Sequence, residues 1–113
     1  MATHFSGPII SQNGFAAGTG AISISKILAA TASLNFPSIA AQAQSDLTIT
    51  VTGAAVGDYV VLAEPSVPAA GLVFNAYVSA ANTVTVRATN ASSGAVDEAA
   101  LTFGVLVLGT TAV

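Results

Sequence analysis

The chain has 113 residues, enough for one domain and too few for two separate cores. Only 6% of them are charged, and with Lys26 and Arg87 the sole Lys/Arg cations against five acids there is no footprint for a phosphate backbone, which excludes nucleic-acid binding. Cysteine is absent, and with it go disulfides, thiolate nucleophiles and Cys-ligated metals.

In chain order, Met1 to Gly20 is rich in turn formers (Gly7-Pro8, Asn13-Gly14, Gly18, Gly20). Its bulky apolar residues Phe5, Ile9, Ile10 and Phe15 are too unevenly spaced for a core element. The expectation is an extended N-terminal arm over residues 1–20, followed by a β domain over 21–113. In a free monomer the arm reads as a disordered tail; in an assembly its four apolar side chains read as partner-binding residues.

Ala21–Leu28 and Thr31–Phe36 alternate apolar with polar residues and are expected as the first two strands. Pro37 stops the second, and SIAAQAQS after it fits either a helical turn or a loop crossing the sheet edge. Asp46–Thr52 sets Leu47, Ile49 and Val51 against three threonines. Tyr59–Ala63, YVVLA, is apolar throughout and reads as a strand buried on both faces, ended by Pro65 and Pro68.

Leu72–Val78 and Thr83–Ala88 both alternate with period two, and the connector Ser79-Ala80-Ala81-Asn82 suits an antiparallel hairpin with an Asx-type bond. Val96–Ala100 fits one short helical turn, and Leu101–Leu108 supplies the last strand, with Gly104 expected at a bulge or close backbone approach. The fold class is therefore all-β: an antiparallel, jelly-roll-like β-sandwich of about seven strands. Its expected core is Leu34, Phe36, Leu47, Ile49, Val51, Val61, Phe74, Val78, Val84, Val86, Phe103, Val105 and Val107.

Catalytic constellations are missing from the sequence. His4 is the single histidine and lies in the arm, so neither a zinc site nor a Ser-His-Asp triad is assembled; no catalytic residue, metal or cofactor is expected. Asp97 and Glu98 are adjacent, so they point to opposite faces in a strand and about 100° apart in a helical turn, poor geometry for an acid/base pair either way, and are read as solvating the loop before the last strand. Gly18-Thr19-Gly20 lacks the third glycine and following helix of a dinucleotide loop. Asn90-Ala91-Ser92 matches a glycosylation sequon, but no basic, apolar leader precedes it. The charge-free stretches Ile27–Ser45 and Pro65–Val86 are broken by Pro, Asn and Gln, so neither is expected to span a membrane.

A compact monomer of this length would expose roughly 5,600 Å². Seven charged side chains solvate that area sparsely, so much of the outside is expected to be covered by other copies or a larger assembly.

The segments FPSIAA, TVTGAAVGD, VSAANTVTVR and VDEAALTF, in an order that runs from Ala32 to Leu108, resemble a module of virion structural proteins of tailed bacteriophages. The sequence departs from that pattern at Ala63-Glu64-Pro65 and at Phe103, where the family favours a Gly-Pro-Pro-like turn and Trp. The resemblance implies binding and assembly without catalysis. A lone module behind a short arm fits a capsid decoration (cement) protein on the virion exterior, made in the host cytoplasm. Its implied partners are further copies of itself, most often as a homotrimer, and the major capsid protein. The alternative is a tail-fibre or spike tip, or an adaptor, that binds a host-surface receptor or glycan.

Overall fold

A computed structural model describes residues 14–16, 18, 20, 22–65 and 69–111. These residues form six strands and no helix: β1 Ser23–Leu34, β2 Gln44–Thr50, β3 Tyr59–Ala63, β4 Leu72–Ala80, β5 Thr83–Asn90 and β6 Leu101–Thr111. Two antiparallel three-stranded sheets result, in the orders β1-β6-β3 and β2-β5-β4. Successive strands change sheet at every connection except the β4–β5 hairpin. The chain is thus wound so that its outermost pair, β1 with β6, lies in one sheet and its next pair, β2 with β5, lies in the other.

The count falls one short of seven because the first two expected strands are a single one. Ala29 and Ala30, weak strand formers, are held in the ladder by Leu106 and Val105 of β6 opposite them. The single irregularity of the β1–β6 pair lies between Ile24 and Lys26. Gly104 causes no bulge; it pairs regularly with Thr31 on one side and Ala63 on the other. The segment SIAAQAQS takes the loop alternative and the helical turn expected over Val96–Ala100 does not form, since Ile39 and Val96 bond to each other as an isolated bridge. Their mutual N–H to O=C bonds of 2.8 and 2.9 Å take the groups a helical turn would have used internally.

The hairpin connector is tighter than expected, two residues, with Asn82 in the left-handed region at φ 61°. Its Oδ1 accepts from Gly53 N–H at 2.8 Å rather than closing an Asx turn, and its backbone bonds Val51 and Ala54. One asparagine therefore ties the hairpin tip to the turn that follows β2.

The core lies between the sheets and draws on both: Leu34, Val105 and Val107 from one, Ile49, Val78, Val84 and Val86 from the other. At its centre Phe36, Phe74 and Phe103 meet with ring centroids 5.1 to 6.0 Å apart. Of the expected core, Leu47 is only partly buried, and Val61 is outside it altogether, 55% exposed. β3 is an edge strand with Val60 and Leu62 turned inward and Tyr59, Val61 and Ala63 outward, which corrects the reading of YVVLA as buried on both faces. Val51, Ile39, Ala54, Ala88, Thr85 and Asn90 are buried as well.

Candidate interaction surface

Of the four arm residues expected to bind a partner, Phe5, Ile9 and Ile10 lie outside the described residues, as does His4. Phe15 is placed: its N–H and C=O bond Ile24 at 2.9 and 2.6 Å, along the edge of β1 opposite β6, with its ring half exposed. Gly14 beside it is required, because its φ is 84° and a Cβ there would overlap the Ile24 carbonyl.

The outer faces of the two sheets differ in kind. On the β2-β5-β4 sheet the register aligns Asp46 with Arg87 and Asn75 in one row, and Thr48 with Thr85 and Tyr77 in the next. Arg87 grips the Asp46 carboxylate through Nε at 2.8 Å and Nη2 at 3.0 Å, and its guanidinium lies 5.6 Å from the Tyr77 ring centre. Thr85 donates to Ser79 Oγ at 2.7 Å. This face carries an ion pair and a majority of polar side chains, with Val73 exposed beside them.

The outer face of the β1-β6-β3 sheet carries no charged strand residue. Its rows are Ile27, Leu108 and Tyr59; then Ala29, Leu106 and Val61; then Thr31, Gly104 and Ala63. Ile27, Tyr59 and Val61 are each more than half exposed. The smaller residues leave an open depression of about 420 Å³ bordered by Val61 and Leu106. Alternation alone does not reveal this face; the signal for it lies in the runs YVVLA and GVLVL, apolar at both parities. The two tyrosines sit on opposite outer faces, so they do not make a joint stacking platform.

Charge elsewhere serves structure. Lys26 Nζ donates to Gly53 O at 2.8 Å and pairs with Asp58 at 2.9 Å, while Asp58 Oδ2 also accepts from Ala55 N–H at 2.9 Å. These bonds fasten β1 to the turn between β2 and β3. The Lys26 bond, with the Ala55 N–H second, holds the Asp58 carboxyl below its usual range, and the Arg87 bond does the same for Asp46. The Asp46 bond in turn raises Arg87. Carboxyls depressed in the folded state contribute stability that is present above the unfolded pKa of about 3.9 and lost as pH falls through the folded value. The melting temperature is therefore expected to drop below about pH 4, and Asp58→Asn to flatten that drop. An unaltered acid limb in the variant would remove the Lys26–Asp58 pair as its source.

Asn90, the sequon residue, is wholly buried and unavailable to glycosylation. Its Nδ2 donates to Ile39 O at 2.9 Å and Gly94 O at 2.8 Å, and its Oδ1 accepts from Ser92 N at 2.9 Å and Ser92 Oγ at 2.6 Å. Among the described residues no group of three or more His, Cys, Asp or Glu side chains gathers as a metal site. Asp97 and Glu98 lie outside the strands, in the segment before β6.

Comparison with protein-family models, with curated proteins and with solved structures finds no match to this chain.

Proposed function

We propose that this chain is an assembly protein: a capsid decoration (cement) protein of a tailed bacteriophage that binds the head shell as a homo-oligomer and stabilises it. The observation that carries this reading is the contrast between the two outer faces, one largely polar with an Asp46–Arg87 ion pair, the other apolar and without charge. An exposed apolar sheet face is covered in a working assembly. The two sheets are read as a β-sandwich of the jelly-roll kind, wound with β1–β6 and β2–β5 as its successive pairs. The phage assignment rests on the resemblance of the FPSIAA, TVTGAAVGD, VSAANTVTVR and VDEAALTF segments, and a trimer is the oligomer that resemblance implies.

The arm is assigned the attachment role. Ordering an extended segment costs about 1 to 2 kcal/mol per residue, more than Phe5, Ile9, Ile10 and Phe15 offset at roughly 1.5 to 3 kcal/mol each. Phe15 is bonded to the edge of its own β1, so in this reading residues before it take main-chain bonds from a neighbour's sheet edge to supply the remainder. Deleting residues 1–20 is expected to leave a folded domain that no longer binds or stabilises purified head shells of the parent phage. Shell binding at the wild-type level by the truncated protein would transfer the attachment to the β domain.

A further inference from the structure

We propose that the apolar outer face of the β1-β6-β3 sheet binds the same face of a second copy of this chain, about a two-fold axis lying along its middle row. The inference rests on the reading of the chain as an assembly protein and names the partner of that surface.

The relief of the face matches its own inverse. Along the strands it steps from a bulky row (Ile27, Leu108, Tyr59) through a middle row (Ala29, Leu106, Val61) to a small row (Thr31, Gly104, Ala63). Neighbouring rows are two residues apart, about 6.7 Å. A two-fold axis in the plane between two such sheets, running along the middle row, reverses the strand direction. The bulky row of each copy then lies over the small row of the other, and each middle row meets itself. A patch whose ridge and depression are equidistant from one line is self-complementary, which is the requirement of an isologous contact.

Three further observations favour a second copy over a different partner. The face carries no charge that would need a complementary charge on a partner. It is closed at one end by Ser33 and Thr102 and at the other by Ser25 and Thr110, all exposed, giving the apolar centre and polar rim usual at interfaces. Its extent also suits a weak dimer: five residues by three strands, extended by about four more along β1 and β6, is roughly 350 Å² flat on each copy. With side-chain relief that reaches the lower end of specific interfaces, so the pair is expected to dissociate on dilution.

Gly104 is the residue that sets the depression. Its φ is not positive, and a Cβ there would meet Ala63 Cβ at 3.4 Å and Thr31 Cγ2 at 3.7 Å, ordinary contacts, so the backbone does not demand glycine. The backbone accepts a Cβ there, and side-chain atoms beyond it extend into the depression that receives the partner's bulky row.

The test is sedimentation velocity with multi-angle light scattering at high micromolar concentration, with circular dichroism as the check on folding. Wild type is expected at twice the chain mass. Leu106→Arg and Gly104→Val are expected at the monomer mass with unchanged spectra, whereas Val73→Arg, on the other sheet's outer face, is expected to stay paired. Because the natural chain has no cysteine, Leu106→Cys adds a single thiol, and a short bis-maleimide is expected to join two copies through it. That measurement holds even where an arginine variant misfolds. A monomeric wild type, a dimer that survives Gly104→Val, or no cross-linking of Leu106→Cys would overturn the pairing. A trimer would overturn the two-fold axis and leave the assembly reading intact, while a dimer that ignores head shells would keep the pairing and sink the shell reading.

Discussion

Asn90→Asp is expected to lower the melting temperature sharply at neutral pH and to recover stability in mild acid, opposite in sign to the wild-type response. The substitution exchanges the Nδ2 donor for an oxygen facing the carbonyls of Ile39 and Gly94, which lie 2.9 and 2.8 Å from that nitrogen. Oxygen against two oxygens in a site without solvent access is repulsive, so the carboxyl is driven to stay protonated, and its folded-state pKa rises above the unfolded value. A raised carboxyl pKa leaves stability intact below about pH 3.9 and removes it as pH climbs through the folded value. At pH 7 the loss is expected to approach about 3 to 5 kcal/mol, the range for an unpaired buried charge, offset in part by the Ser92 N–H and Oγ–H donors that remain on the other carboxyl oxygen. In a domain of this size each kcal/mol lowers the melting temperature by about 4 to 8 °C. Asn90→Ala serves as the comparator. It loses the same bonds without adding charge, for about 1 to 3 kcal/mol; the Ile39 carbonyl keeps Val96 N–H, and the Ser92 hydroxyl, released from Asn90 Oδ1, turns its one hydrogen to the Gly94 carbonyl 2.9 Å away. A difference between the two variants that does not grow from pH 4 to pH 7 would show that the introduced carboxyl finds a donor or solvent the native arrangement lacks.

The importance of that asparagine could not be read from its neighbours in sequence. Its partners Ile39 and Gly94 belong to different loops, and the Ile39–Val96 bridge that frames them spans 57 positions without any local pattern. What was legible was whatever had one wet face. β2 and β5 alternate apolar with polar residues, and β4 does so apart from Val73 and Tyr77, so core residues such as Ile49, Phe74, Val84 and Val86 followed from parity alone. β3 and the centre of β6 defeat that logic. Where both parities are apolar, parity cannot say which set is inside, and Val61, expected in the core, faces out. The same ambiguity hid the candidate contact surface, since a sheet face that another molecule is to cover has the composition of a face already covered. Shortage of charge in the whole chain pointed to association; only the placement of Ile27, Tyr59, Val61 and Leu106 on one face says where.

Phe103→Ala is expected to be the most destabilising truncation of the core. Phe103 sits on β6, the central strand of its sheet, and is fully buried. Its ring stands edge-on to Phe74 of β4 in the opposing sheet, centroids 5.1 Å apart, and to Phe36 in the segment after β1, 6.0 Å away. Removing it takes away the side chain that touches both sheets and the connecting loop, and leaves a void that β6, hydrogen-bonded on both edges, cannot collapse to fill. The expected loss is about 3 to 5 kcal/mol, against a total of about 5 to 15 kcal/mol for a typical domain. Phe103→Leu keeps most of the volume and is expected to lose less than about 1.5 kcal/mol. Combining Phe74→Ala with Phe103→Ala separates packing from ring pairing: edge-on aromatic pairs couple by about 0.5 to 1.5 kcal/mol, so the double variant should lose less than the sum of the singles by that amount. Val61→Ala provides the contrast. In dilute, monomeric protein this outward side chain contributes little to stability, and its truncation is expected to matter only at concentrations where two copies cover the face. Urea titration of these variants at low concentration checks the set. Midpoints for Phe74→Ala and Phe103→Ala that match wild type would mean that the two sheets are not held together by these rings.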